Sequence, residues 1–231
     1  MNKILIIAAH PDDEILGCGG TIIEHVKKKD KVGILIASEG VTSRDNVRDF
    51  KKRKKQIKNL FSISKRIAKE SGVNFIKSLG LPDNRLDGEN LLDVIKKVEK
   101  VINQFKPDTI YTHHPNDLNI DHSIINKAVL TAVRPIPKQT VKKIYAFEIL
   151  SSTNWSKSSK NTTFVPNYFN EISNSLSSKI KYLKMYKSEM RKWPHARSIK
   201  ALKSLAFYRG STIGVDAAEA FELLREIKKN T

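Results

Sequence analysis

Two short apolar runs, KILIIAA at residues 3–9 and KVGILIAS at residues 31–38, flank a segment of helical length. Each run is β-rich and bounded by polar residues, the mark of a strand buried on both faces. Such strands pair in parallel only across a crossover of about a dozen residues or more, and residues 13–29 supply one with helical character. The alternation continues. The stretch from Asp45 to about Ser71 is charged and helical in pattern, and VNFIKSL (73–79) is a weaker strand followed by the turn-rich GLPDNRLDGEN. LLDVIKKVEKVINQF (91–105) has apolar residues at helical spacing and is stopped by Pro107. DTIYTHH (108–114) reads as a strand, residues 121–133 as a helix, and VKKIYAFEIL (141–150) as a further strand. This order predicts an α/β fold with a right-handed, mostly parallel sheet flanked by helices.

Beyond Leu150 the character changes. SSTNWSKSSKNTT (151–163) is a polar loop without periodicity, and FVPNYFNEIS (164–173) suggests a short strand with a turn. Helical patterns follow over about 173–188 and 198–208, and an amphipathic helix is expected from Ala217 onward. The expectation is one domain over 1–231, with an α/β core over 1–150 and an α-rich C-terminal extension over 151–231. The 231 residues, 39% of them hydrophobic, suffice for one sizeable core. No apolar run is long enough to span a bilayer and no leader pattern precedes the first strand, so a cytoplasmic protein is expected.

Cys18 is the single cysteine, which leaves no intrachain disulfide and fits a reducing compartment. It lies among glycines at a helix start, where a small packing residue is expected rather than a nucleophile. The formal net charge of +18 raises nucleic acid or an anionic surface as a partner. Lysine supplies most of that charge and spreads it widely, and KKRKKQIK (51–58) fits a solvated helix face. No zinc-finger spacing or aromatic RNA-binding motif accompanies it, so no nucleic-acid partner is expected. A basic surface would still collect an anionic substrate.

The chemistry lies in AAHPDDEILGCGG (8–20), at the carboxyl end of the first strand. A second polar cluster, HHPNDLNIDH (113–122), ends the fourth. Ligands of open α/β sheets bind outside the carboxyl ends of strands, where the strand order reverses. In a 3-2-1-4-5 order both clusters face one crevice. His10 and Asp13 are three apart across a strand-to-helix turn and could meet one ion. His122 would complete two imidazoles and a carboxylate, a three-ligand set with a position open for water. Asp12 points elsewhere than Asp13 and could accept a proton. Acids in a helix's first turn also stabilise its dipole by about 0.3–1 kcal/mol each, which explains them without chemistry. Gly17, Gly19 and Gly20 weaken that bland reading. Each costs a helix about 1 kcal/mol against alanine, so their presence points to close approach.

AHPDDEILGCGGT resembles the signature of the LmbE/PIG-L-type metal-dependent de-N-acetylases, and HHPNDLNIDH resembles that family's later metal motif. The resemblance continues through LGLPDNRL (79–86), FVPNYFNEIS, PHARS (194–198) and YRGSTIGVDAAEAFELLR (208–225). It implies a Rossmann-like fold and one zinc ion per chain on His10, Asp13 and His122, a set that other divalent metals also suit. It implies Asp12 as general base and Asp121 as a carboxylate orienting a neighbouring histidine. The implied reaction removes acetyl from an N-acetylated amino sugar or its conjugate, a small-molecule substrate. Members are often multimeric, which points toward a homo-oligomer. Several carry His-Pro-Asp-His where this chain has NIDH, with Asn119 in the place of the histidine that helps stabilise the oxyanion. His113 or His114 would take over that role, or Asn119 would donate a neutral hydrogen bond.

Softer candidates for substrate contact are Asp83 and Asn84 for sugar hydroxyls, and Arg44, Arg53 and Arg209 for an anionic group or the pocket wall. A turn at PDN explains the first two equally well, surface exposure is the better explanation for Arg44 and Arg53, and pairing with an acid is the alternative for Arg209. Trp155 and Trp193 suit core or lid packing better than sugar stacking. Two rivals stand beside the deacetylase expectation. One is a related amidase acting on a longer acyl or thiol conjugate. The other is a basic protein binding nucleic acid or anionic glycan, with a relict metal site.

Overall fold

A computed structural model describes residues 1–160 and 162–228. The elements are β1 (Lys3–Ala8), α1 (Asp13–Lys27), β2 (Lys31–Ser38), α2 (Phe50–Ser71), β3 (Phe75–Leu81), α3 (Leu91–Phe105) and β4 (Thr109–His113). They continue with α4 (Ile120–Ala132), β5 (Lys143–Phe147), β6 (Tyr168–Glu171), α5 (Leu176–Met185), α6 (Ile199–Ser211) and β7 (Ala218–Glu226). The sheet order is β3-β2-β1-β4-β5-β7-β6. β1 to β5 run parallel, and β7 is antiparallel to both β5 and β6. The chain therefore reverses its direction of travel across the sheet between β1 and β4, where the sequence put both polar clusters.

β1 shows why its sequence is apolar throughout. Ile4 and Ile6 join the core under α1, α2, α5 and α6, while Leu5 and Ile7 join the core under α3 and α4. Side chains alternate across a strand, so a strand covered on both faces has no polar side to show. Two of the glycines in α1 mark close approaches. A Cβ on Gly17 would stand 2.4 Å from the Phe147 ring, and one on Gly20 would stand 2.5 Å from Ile172. α1 is thereby pressed onto β5 and onto the segment after β6. Cys18 is buried within this contact, and burial pushes its thiol well above the usual range.

The amphipathic helix expected from Ala217 is instead β7. Its alanines and glutamates favour a helix locally, but the segment has an open edge to fill on each side, β5 and β6. Phe221 and the buried Ala218 and Ala220 fit that slot. The extension thus contributes two strands to the sheet as well as α5 and α6. The lysine-rich run lies on α2, where Lys51, Lys52, Lys54, Lys55 and Lys58 are exposed. Among the described residues no helix is long and apolar enough to cross a membrane.

Candidate active site

His10 follows β1, Asp13 opens α1, and the turn between them is closed by backbone contacts. The His10 N–H donates to Asp13 Oδ2 at 3.0 Å and the Asp13 N–H to the His10 carbonyl at 3.3 Å. His122 enters from the first turn of α4, which Asn119 caps by accepting the Asp121 N–H at 2.9 Å. Three ligand atoms converge. His10 Nδ1 and His122 Nε2 each lie 3.1 Å from Asp13 Oδ2, and 3.3 Å from one another.

These spacings suit a shared metal ion as well as they suit hydrogen bonds. Ligands about 2.0–2.1 Å from a tetrahedral zinc lie roughly 3.3 Å apart. The other Asp13 oxygen, Oδ1, is buried with no hydrogen-bond partner. Asp13, Asp83, Asp117 and Asp121 are all buried around the two imidazoles. Such an excess of buried carboxylate calls for a cation. Burial would raise the Asp13 carboxyl, but the facing His122 and His10 hold it well below the usual range, ready as an anionic ligand.

Carboxylates set the outer ring nitrogens. His10 Nε2 lies 3.1 Å from Asp121 Oδ2 and 3.3 Å from Asp83 Oδ1. His122 Nδ1 lies 3.2 Å from Asp117 Oδ2. Partners of this kind fix a ligand histidine's tautomer and ring plane. Burial works against ionised Asp117, yet His122 and the Thr153 hydroxyl bring it down to about 2. Asp121 also accepts the N–H groups of Asn84 at 2.7 Å and Leu86 at 3.0 Å, so it locks the loop after β3 against α4.

Asp12 turns away from the three ligands. Its φ of 121° lies in the region that non-glycine residues avoid, a local strain characteristic of functional turns. Asp12 Oδ2 accepts from Arg197 Nη1 at 2.9 Å, and Arg197 Nε donates to Ser151 Oγ at 2.8 Å. Burial raises the Asp12 carboxyl well above its usual range, against the opposing pull of Arg197. Behind it, Glu14 accepts the Asp12 N–H at 2.9 Å and the Tyr186 hydroxyl. Burial outweighs both hydrogen bonds and brings Glu14 up to about 7.

His10 and Asp12 open onto a cavity of about 100 Å³ with Arg44, Asp83, Asn84, Asn119, Glu189 and Arg197 among its walls. Arg44 is held by both Glu189 oxygens, at 2.7 and 2.8 Å. Asn119 Nδ2 donates to Asn84 Oδ1 at 2.7 Å. Other candidates from the sequence are engaged elsewhere. Asp83 spends Oδ2 on the N–H groups of Val41 and Ser43 and on the Ser43 hydroxyl, so it braces His10 more than it faces a sugar. Arg53 grips Asp45 from α2 and does not line the cavity. Arg209 grips Glu148 beside a separate small cavity. His113 accepts the Ala9 N–H on Nε2 at 2.8 Å and stacks on His122 at 3.8 Å between ring centres. His114 is tied to Glu222 at 2.8 Å and to the Thr162 carbonyl at 3.1 Å. Trp155 and Trp193 are neither core nor packed lid: both are more than half exposed.

Two residues at the site were passed over in the sequence. Asp117 lies inside HHPNDLNIDH, five residues before His122, and acid near a ligand histidine was the available signal. Arg197 lies 185 residues from Asp12, inside PHARS, where the family resemblance was the available signal.

Residues 5–133, more than half of the chain, match the family model described as PIG-L: GlcNAc-PI de-N-acetylase, and the chain belongs to this family. It is 26% identical over 188 residues to the probable N-acetyl-alpha-D-glucosaminyl L-malate deacetylase 2 of Bacillus cereus, covering 80% of this chain and 83% of that protein. Its fold resembles the N,N'-diacetylchitobiose deacetylase from Pyrococcus horikoshii, with a TM-score of 0.77 at 20% identity, over 97% of this chain and 84% of that one. It also resembles a 4-carboxy-2-hydroxymuconate hydratase from Pseudomonas putida, with a TM-score of 0.74 at 17% identity, over 100% of both chains. At such identities the two structures speak for the fold alone.

Proposed function

We propose that the protein is a zinc-dependent hydrolase that removes the acetyl group from an N-acetylated amino sugar or its conjugate. The observation that carries this reading is the convergence of His10 Nδ1, Asp13 Oδ2 and His122 Nε2 at mutual distances of 3.1–3.3 Å, beside the Arg197-paired carboxylate of Asp12. The deacetylase relatives support the substrate class. His10, Asp13 and His122 would hold the ion, which when bound supplies Lewis acidity that acidifies water to a pKa of about 7 and polarises a carbonyl.

The chain's own groups do the rest. Asp12 takes a proton from the attacking water and returns it to the leaving nitrogen as the C–N bond breaks, giving acetate and a free amine. Burial raises the carboxyl of Asp12 against the opposing pull of Arg197. Of the three residues considered for the developing negative charge, Asn119 lines the cavity, whereas His113 and His114 spend their contacts on Ala9, Glu222 and Thr162. Asn84 and Asn119 are positioned to meet sugar hydroxyls, and the basic surface steers an anionic conjugate.

Zinc content and acetate release, measured together, test the assignment. Asp12→Asn should keep its zinc and lose activity on N-acetylglucosaminyl conjugates by about 10²–10⁴-fold. Asp13→Asn should lose zinc. If Asp12→Asn loses zinc while Asp13→Asn keeps it, the two roles are exchanged. If both keep zinc and near-normal acetate release, the turn is only a helix start. Absence of acetate release from every N-acetylamino sugar by the zinc-loaded enzyme would return the hydratase fold relative to consideration.

A further inference from the structure

The loops that wall the cavity carry exposed apolar side chains at their tips. Val47 is 78% exposed, Leu118 59%, Trp155 53% and Trp193 55%. None lines the cavity itself, but each lies in a segment that reaches a lining residue through the chain or through one contact. Val47 lies between Arg44, which lines it, and Arg48, and Leu118 directly precedes the lining Asn119. Trp155 packs edge-on against His195, whose Nδ1 accepts the N–H of the lining Arg197 at 3.0 Å. Trp193 precedes that same segment and lies under Lys200, whose Nζ is 4.5 Å from the ring centre. Exposed cations lie within a few residues of these tips in sequence. Lys51, Lys157, Lys160, Arg191 and Lys192 are all exposed.

Single exposed apolar residues need no explanation. Four on the loops around one cavity, two of them tryptophan, in a chain of formal net charge +18, do need one. Tryptophan settles at the headgroup level of a bilayer, with its ring in the apolar boundary and its N–H in the wet layer. Lysine and arginine near the surface are attracted to anionic headgroups, and their stems add apolar contact. We infer that the rim of the cavity is a docking surface for an anionic lipid membrane, which the protein meets without spanning it. Charge selects this occupant. A second copy of the chain would bring the same positive charge to the contact. A soluble polyanion would satisfy the cations and leave the tryptophans in water. An anionic bilayer engages both. The inference concerns the rim, and it stands or falls separately from the amide that the cavity hydrolyses.

Trp155 and Trp193 are the two tryptophans of the chain, so intrinsic fluorescence reads the rim directly. Vesicles of equal parts phosphatidylcholine and phosphatidylglycerol should sediment the protein, shift its emission to the blue and shield it from acrylamide. Vesicles of phosphatidylcholine alone should do none of these. Trp155→Ser/Trp193→Ser should bind the anionic vesicles at least about tenfold more weakly, while its elution from heparin stays that of the wild type. Should that variant unfold, Val47→Ser/Leu118→Ser carries the same test. Unchanged emission with anionic vesicles overturns the inference. So does a folded rim variant that binds them as tightly as wild type, and so does heparin producing the same blue shift, which would make the partner a soluble polyanion.

Discussion

Replacing Lys179 by methionine should remove a large share of the protein's stability. Lys179 on α5 and Glu219 on β7 are both buried, with Lys179 Nζ 2.6 Å from Glu219 Oε1 and 2.8 Å from the Leu16 carbonyl in α1. Glu219 also accepts the Gly20 and Thr21 N–H groups of α1 at 2.8 and 2.7 Å. Methionine keeps the length of the stem and deletes the charge. The Glu219 carboxylate is then buried without its counter-ion, which typically costs about 3–5 kcal/mol. Its two remaining N–H donors place the loss toward the lower end, roughly 3 kcal/mol, against a total of about 5–15 for a domain of ordinary stability. Urea unfolding monitored by far-UV circular dichroism measures it. Lys179→Met/Glu219→Met should recover at least about half of the loss, because removing a whole buried pair is often close to neutral. A single variant within about 1 kcal/mol of wild type would refute the reasoning, as would a double variant that loses as much as the two single changes summed.

Asp117→Asn should weaken zinc binding by about 10–100-fold while the fold is retained, since the amide no longer anchors His122 Nδ1 as an acceptor of full charge. Competition with a chromophoric chelator measures the change, and an unaltered affinity would remove Asp117 from the site. Burial alone would lower His114, but Glu222 and the Thr162 carbonyl outweigh it and hold the imidazole above its ordinary 6.5. The folded state therefore favours charged His114, and the stabilisation is complete below 6.5 and fades as pH rises through the folded value. Glu222→Gln should cost about 1–3 kcal/mol below about pH 6 and progressively less above about pH 8, as read by denaturant melts across that range. An equal cost at both ends would show that the contact is not ionic.

The residues differ in how openly the sequence displays them. β1 and β2 were legible because a strand buried on both faces must be apolar at every position, the helix of Asp13 because it fills the crossover between them, and its close packing because three costly glycines needed a reason. His10, Asp13 and His122 were legible because they cluster at two strand ends that the parallel order brings together. β7 was not, since alanine and glutamate favour a helix and only the open edges of β5 and β6 overrule them. Arg197 was hidden for a related reason: its partner Asp12 is brought to it by tertiary packing alone. Arg53 and Arg209 had the right chemistry for an anionic ligand, but Asp45, eight residues before Arg53, and Glu148, 61 residues before Arg209, hold them, and only the first of these partners is near in sequence.

The antiparallel placement of β7 also has a consequence for how the protein is made. Gly20 and Glu219 meet across 199 residues of chain, so the helix bearing Asp13 is translated long before its buried partner. During synthesis the parallel half of the sheet can pair as it emerges, but α1 must wait beside an uncovered face until residues 218–226 leave the ribosome. Ribosome stalling or proteolysis short of β7 would thus release a chain with its His10–Asp13 turn already present in sequence and its supporting wall missing, a form that a cell's proteases would meet before any substrate did.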